Sequence, residues 1–446
     1  MDFREKFNGF VSHPFVKDAA VLQVGNILSM GIGILTAILI ARWLQPEKYG
    51  LYSLVFAFAG LLSIFMNVGA EKAVVTLFSE AYAEKDEEEI KNILTYFLKI
   101  NIIIFLLIGV AFIILAPILS NYFYQSIEIG NLTRLIILTN ILGLFFAIIT
   151  IIFQVTRQMA NYVVIDVINN IFKGVFSLLF IFWGLGVFGV VFAQLIVAFV
   201  MLVVSIFFYQ YLASKNNILP SFKKLLLNVW RAPIKKYFKF SFWIAVNDNL
   251  SSLYGYLPMI FLGMFAPIQS VGLFKIALKY TSIPLMLLSP ISQLLNIQLP
   301  VTKTLGYKSL RKNFIKATLY SFLISVILMI LLVLMAPFLI KTFYGDSYLP
   351  SVNLIYYLAG FSVLFSIGVG VGPIFRALDL MSTILKINFI VILFGLPFVY
   401  LAIKTYGIMG AIFFVFGWPL ISDIIALSYI LNILSKIKSD ESYSTA

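Results

Sequence analysis

Apolar residues gather in long runs separated by short polar breaks, and the runs set the count of elements. Segments reaching the ~20 residues needed to cross a ~30 Å hydrocarbon core fall at about 16–42, 50–70, 93–116, 132–154, 162–183 and 187–210. Six more follow at 240–264, 271–299, 314–340, 352–375, 384–403 and 408–434. Between the two sets lies YLASKNNILPSFKKLLLNVWRAPIKKYFK, residues 211–239, which has prolines, no acid and seven basic residues (Lys215, Lys223, Lys224, Arg231, Lys235, Lys236 and Lys239). That stretch is too polar for lipid and reads as a hinge. The pattern predicts an all-α polytopic membrane protein of twelve transmembrane helices, with an N-terminal six-helix lobe at 1–210, a basic cytoplasmic linker at 211–239, and a C-terminal six-helix lobe at 240–446 ending in a short cytoplasmic tail.

Composition agrees: 61% of residues are hydrophobic, 11% are charged, and mean hydropathy is +1.02, the signature of a chain whose main solvent is lipid. The net charge of +13 is therefore read loop by loop. With a cytoplasmic N-terminus, 24 of the 32 Lys and Arg fall on the cytoplasmic side, five on the outer side, and three (Lys173, Lys275 and Lys279) within the membrane. Basic residues concentrate on the inner side of membrane proteins, so both termini and the linker are expected in the cytoplasm. Their place at helix ends, not in one soluble domain, argues against nucleic acid as a partner. The N-terminal MDFREKFNGFVSHPF is read as a retained amphipathic lead-in to the first helix, not a cleaved signal.

The halves repeat each other at a nearly constant offset. Ala116-Pro117 with Phe123-Tyr124 recurs as Ala336-Pro337 with Phe343-Tyr344, 220 residues later. Pro46 and Gly50 recur as Pro267 and Gly272, and Gly186 and Gly189 as Gly407 and Gly410, at offsets of 221 or 222. Proline and glycine punctuate helix ends, and one shared spacing across four landmarks indicates an internal duplication. An even number of helices per copy inserts both in the same sense. The lobes are thus expected to be related by a pseudo-twofold axis along the membrane normal, with a substrate site between them near the midplane.

The stretch Ala41-Arg42-Trp43-Leu44-Gln45-Pro46-Glu47-Lys48-Tyr49-Gly50-Leu51-Tyr52-Ser53, followed by Asn67-Val68-Gly69-Ala70-Glu71, resembles the first-loop signature of polysaccharide biosynthesis proteins. These are the Wzx-type flippases of lipid-linked oligosaccharides, in the multidrug/oligosaccharidyl-lipid/polysaccharide exporter superfamily. Gln45 stands where that family usually has Gly, and Asn67 where an acid is common. The resemblance implies a MATE-like, two-lobed transporter moving a polyprenyl-(di)phosphate-linked glycan from the cytoplasmic to the outer leaflet of the cell membrane. It also implies a monomer, membrane lipids as neighbours, and glycan polymerase or glycosyltransferases as candidate partners. The family has no catalytic motif, so it assigns no site residue.

Site candidates come from ionisable groups inside the runs, each costing at least ~2.5–3.5 kcal/mol at mid-helix. Lys275 and Lys279 lie i, i+4 on one helix face that Ser282, Met286 and Ser289 continue, with Gln293 further in and Pro284 and Pro290 expected to bend the helix. Asp166, Asn170, Lys173 and Ser177 form a second stripe, and both stripes are expected to face water. Lys275 and Lys279, with Lys173, are the candidate phosphate-attracting groups, because Asp248 and Asp166 do not balance three lysines and lysine serves as a releasable point charge. Asp248 and Asp166 are candidates either for coupling to H+ or Na+ or for structural pairing, Asp248 with Lys279 and Asp166 with a cation of a neighbouring helix.

Several chemistries have no residues to carry them. The chain has no cysteine and one histidine, His13, so thiolate or histidine metal sites and histidine bases are not expected. No Gly-Lys dipeptide exists for a phosphate-binding loop, and no Asp-x-Asp for a nucleotide-sugar metal site. No cofactor is expected, and the protein is not expected to be an enzyme. Two alternatives remain: an ion-coupled multidrug or organic-cation extruder of the same fold, and a membrane glycan polymerase or ligase, which typically needs a long outer loop.

Overall fold

The computed structural model describes residues 14–216, 218–304 and 306–443; His13 and the rest of the N-terminal lead-in lie outside them. Every regular element among these residues is helical. The first helix, α1 (Pro14–Met66), runs on for 53 residues but carries one non-helical residue, Gln45, at φ 62° and ψ 165°. There follow α2 (Ala70–Glu84), α3 (Glu87–Ile104), a π-turn at Phe105–Gly109, α4 (Val110–Tyr124), α5 (Ile127–Leu142), α6 (Leu144–Val155), α7 (Met159–Phe182) and α8 (Gly186–Lys215). The linker holds α9 (Phe222–Asn228) and leads into α10 (Ile234–Phe265). Then come α11 (Ile268–Thr281), α12 (Ile283–Thr304), α13 (Tyr307–Phe343), α14 (Pro350–Phe365), α15 (Val371–Ala377), α16 (Met381–Tyr406) and α17 (Ile408–Tyr443).

Eight helical stretches are long and apolar enough to cross a membrane, two of them formed by α3 running on into α4 and α14 into α15, or up to ten if the bent pairs α5–α6 and α11–α12 each make one span. The difference from twelve has local causes. Residues 20–66 count as one helix there, although 47 residues extend about 70 Å, twice a hydrocarbon core. In α10 the triplet Asn247-Asp248-Asn249 lowers the apolarity of an otherwise span-length helix. The 43° bend between α11 and α12 falls at Ser282, just before Pro284.

Contacts divide the chain into two units, one of residues 1–44 and 58–249, the other of 45–57 and 250–446. In the first, a continuous core joins α2, α3, α6 and the linker: Phe78, Ile93, Leu94, Ile149, Leu225 and Val229 are all buried within it. The linker is seated on this unit by polar contacts too. Lys99 Nζ donates to the carbonyls of Trp230 (2.6 Å) and Ala232 (3.0 Å), and Lys236 pairs with Glu89 at 2.6 Å. Residues 86–89, an aspartate followed by three glutamates, start α3: the Asp86 side chain accepts from the Glu89 amide at 2.9 Å, and Glu87, Glu88 and Glu89 sit where the helix dipole favours negative charge.

In the second unit, Leu299, Leu310, Phe314, Ile374, Phe375 and Ile430 form the core that joins α12, α13, α15 and α17. Ser366–Gly370, which holds Gly368 and Gly370, makes a 3-10 turn between α14 and α15. A Cβ on Gly370 would lie 2.9 Å from the Phe314 ring, and one on Gly368 would lie against the Asp423 carboxylate, so these two glycines allow close helix packing.

The duplication shows in the backbone. Gly186 and Gly407 both take φ +54°. Within the second unit, a Cβ on Gly50 would meet the Ile268 carbonyl oxygen at 2.0 Å, and one on Gly272 would meet the Pro46 carbonyl oxygen at 2.2 Å. Ile268 and Gly272 stand 222 residues after Pro46 and Gly50, one residue from the match of Pro46 with Pro267, so each copy lays its glycine against nearly the same point of the other.

Candidate functional site: a polar cavity and two unpartnered lysines

In the first unit a cavity of about 350 Å³ opens among α2, α3, α5, α6, α7 and α8. Its polar lining includes Asn67, Glu71, Asn101, Asn140, Asn169 and Lys173, with Gln194 on α8. A second cavity of about 210 Å³ shares Asn67, Asn101 and Asn140. Such carboxamides in membrane helices offer donors and acceptors where lipid offers none.

The break between α1 and α2 positions one wall. Gly69 takes φ +68°, and a Cβ there would lie 2.3 Å from the Ser241 carbonyl oxygen, so this close approach requires glycine. Asn67 Oδ1 accepts from the Gly69 amide (3.0 Å), and Asn67 Nδ2 donates to Asn249 Oδ1 (3.0 Å). Asn249 Nδ2 in turn donates to the carbonyls of Ile64 and Asn67. The chain then re-enters a helix, which carries Glu71 to the cavity and Lys72 to Asp248. The Lys72 ammonium lies 2.7 Å from the Asp248 carboxylate, whereas the structural alternative expected from the sequence paired Asp248 with Lys279.

The α7 stripe divides. Lys173 lines the cavity. Asp166 Oδ2 accepts from Ser29 Oγ on α1 (2.8 Å) and from Asn170 Nδ2 (3.1 Å), so neutral donors hold it where a neighbouring cation was anticipated. Ser177 is fully buried, its hydroxyl without a partner among the described residues.

In the second unit, Lys275 and Lys279 lie one turn apart on α11, both half-buried, and among the described residues no hydrogen bond or ion pair reaches either ammonium. Their helix is held by other groups: Tyr280 Oη donates to the Leu332 carbonyl (2.6 Å), and Ser362 Oγ donates to the Thr281 carbonyl (2.6 Å). On α17, Asp423 lies over Gly368, where the 3-10 turn interrupts the span. Its neighbour Ser422 donates to Asn388 Oδ1 at 2.5 Å.

Sequence reasoning missed Glu71, Lys72 and Asp423, along with the amides Asn101, Asn140 and Gln194. Asp423 was the plainest signal, a lone acid inside the run 408–434. Counting Asp423 and Glu71 with the acids and Lys72 with the cations leaves four of each, which removes the simple surplus of cations on which the lysine argument rested. What remains is local: among the described residues Lys275 and Lys279 have no neutralising neighbour.

The fold has close counterparts among solved structures. An inward-facing multidrug resistance MATE family transporter of the MOP superfamily superposes with a TM-score of 0.71 at 15% identity, over 95% of this chain and 99% of that one. The lipid II flippase MurJ, in an inward closed conformation, gives 0.70 at 15% identity over 93% and 87%. Among curated relatives, stage V sporulation protein B of Bacillus subtilis (strain 168) is 27% identical over 107 residues, which is 24% of this chain and only 21% of the relative's length. The profile described as polysaccharide biosynthesis protein matches residues 15–295, more than half of the chain. An all-α, multi-pass membrane protein with these helices, this signature and this match belongs to the polysaccharide biosynthesis protein family.

Proposed function

We propose that the protein is a flippase carrying a polyprenyl-(di)phosphate-linked oligosaccharide from the cytoplasmic to the outer leaflet by alternating access, for assembly of cell-surface polysaccharide. The observation that carries this reading is the pair Lys275 and Lys279. Two ammoniums one turn apart in a membrane helix, neither neutralised by a described neighbour, are costly without a function, and a diphosphate is the ligand that would repay them. Lys173, in the cavity of the first unit, is the third proposed phosphate-attracting group. The carboxamides around it suit sugar hydroxyls, which both donate and accept. The proposed topology has twelve spans, with α1 divided at Gln45 and α10 counted as one, and both termini and the linker in the cytoplasm. The protein acts in the cell membrane as a monomer and catalyses no bond chemistry.

For coupling to H+ or Na+, Asp248 and Asp166 already have partners, which favours structural pairing for both. Asp423 is the better placed carboxylate, since no described residue pairs with it and it faces an interrupted helix. One observation favours a second reading: Glu71 in the cavity of the first unit is an acid of the kind that an organic-cation extruder requires.

The test is translocation by the purified protein in proteoliposomes, with defined lipid-linked oligosaccharides or an organic cation inside, and with or without pH and sodium gradients. The flippase reading expects movement of the glycan lipid and a loss of about tenfold or more on Lys279→Gln, the scale of one charge-assisted hydrogen bond, with Lys279→Arg partly active. Cation efflux that depends on Glu71, with no movement of glycan lipid, would establish the extruder instead.

A further inference from the structure

One face of α13 leads along two consecutive cavities. The first, about 410 Å³, is lined from this helix by residues that include Arg311, Phe314, Thr318 and Phe322; the second, about 470 Å³, by residues that include Met329 and Val333. These positions recur at intervals of three, four or seven, which keeps them on one stripe of a helix. Across the groove stand Ile367, Leu427 and Leu431 at the first cavity, and Ala359, Gly360 and Leu364 at the second. The lining is apolar except at one end. There Arg311 Nε and Thr318 Oγ1 are both buried without a hydrogen-bond partner among the described residues. Lys308, Lys312 and Lys316 belong to the same end of the helix.

We infer that this groove is where the lipid carrier of the substrate first docks, with its phosphate at Arg311 before it reaches Lys275 and Lys279, and its polyprenyl chain along α13. The inference deepens the flippase reading and rests on it. A guanidinium presents a planar fork of donors that matches phosphate geometry, and an orphaned Nε at the mouth of an apolar channel lacks such an acceptor. Length selects the chain. From Arg311 to Leu334 the helix advances about 35 Å, whereas one leaflet supplies roughly half of a ~30 Å core. An acyl chain of an ordinary phospholipid headed at Arg311 would fill only the first cavity, while a polyprenyl chain would continue into the second. Gly360 keeps the second cavity clear, since a Cβ there would meet nothing within 4 Å.

The experiment uses the whole protein in nanodiscs and a long-chain polyprenyl phosphate bearing benzophenone at its far end, with crosslinks mapped by peptide mass spectrometry. The expected label falls on α13 beyond Val326 or on α14 at Ala359–Leu364. It is competed by unlabelled polyprenyl phosphate and not by phosphatidylglycerol. Arg311→Gln should reduce it about tenfold, the scale of a lost charge-assisted contact, and Arg311→Lys should retain part of it. Gly360→Phe should abolish the label at the second cavity, and because the position opens on free space the helix should tolerate it. Label elsewhere, or equal competition by phosphatidylglycerol, overturns the inference. The wild-type map decides even where a variant fails to fold. Glycan-lipid transport by wild-type proteoliposomes separates the two claims: transport without groove labelling defeats the groove alone, and absence of transport defeats the flippase reading.

Discussion

Gln45 occupies a backbone region, φ 62° with ψ 165°, that is comfortable only for glycine, and such a residue costs about 1–3 kcal/mol. The resemblance to a family that usually has Gly there acquires a physical reason. The Gln45 side chain recovers part of the cost, because its Oε1 accepts from Ser347 Oγ at 2.7 Å, worth about 0.5–1.5 kcal/mol. Gln45→Gly should therefore stabilise the protein by about 1 kcal/mol, read as a raised midpoint in thermal unfolding of the detergent-solubilised protein; a lowered midpoint would refute the strain. The Lys72–Asp248 pair sets a second expectation. The Lys72 side chain is 66% exposed, and ion pairs of this kind contribute about 0–1 kcal/mol, so Lys72→Gln should cost little stability. Because Lys72 is the ion partner of Asp248, adding Asp248→Asn to Lys279→Gln should not restore transport. Recovery in that double variant would return Lys279 to a structural role.

At the scale of elements, the reciprocal glycines and the open one make a matched comparison. An alanine at Gly50 or Gly272 would press on a backbone carbonyl at 2.0 or 2.2 Å, an atom that cannot rotate away, and overpacking of this kind costs about 1–3 kcal/mol. Gly360→Ala meets no atom within 4 Å in the middle of α14 and should gain about 0.5–1 kcal/mol from the better helix former. Thermal unfolding of the three variants checks both signs at once, and equal effects would show that the close approach of the repeats carries no strain. The repeat spacing pointed to these positions because glycine at a fixed offset leaves a trace in sequence. The Asn67–Asn249 hydrogen bond, between residues 182 apart, leaves none: nothing local distinguishes Asn249 from Asn247. Helix runs were legible because each must supply ~20 apolar residues. The polar lining of the cavity was not, since Asn101, Asn140 and Gln194 are single amides inside apolar runs, and only the fold shows that they converge.

For the whole molecule, the apolar runs and the distribution of basic residues make separate demands. The runs require a multi-pass protein, and the fold agrees, yet length and apolarity alone count eight to ten spans. Orientation depends on parity, so a miscounted span would move every later loop to the wrong side. Charge provides the independent constraint: the linker alone carries seven basic residues and no acid, and an excess of this kind holds a loop in the cytoplasm. It also separates the two sets of runs, so its side fixes the parity of each half. The chain has no cysteine, which makes single introduced thiols unambiguous reporters. In intact cells, an impermeant thiol reagent should label Ser126→Cys and Ser347→Cys and should leave Ser221→Cys unlabelled until the membrane is opened. Ser126 and Ser347 follow α4 and α13, whose prolines Pro117 and Pro337 are repeat counterparts, so a pair labelled alike supports two copies inserted in the same sense. Labelling of one but not the other would mean that the copies are inverted, and labelling of Ser221→Cys from outside would reverse the whole topology.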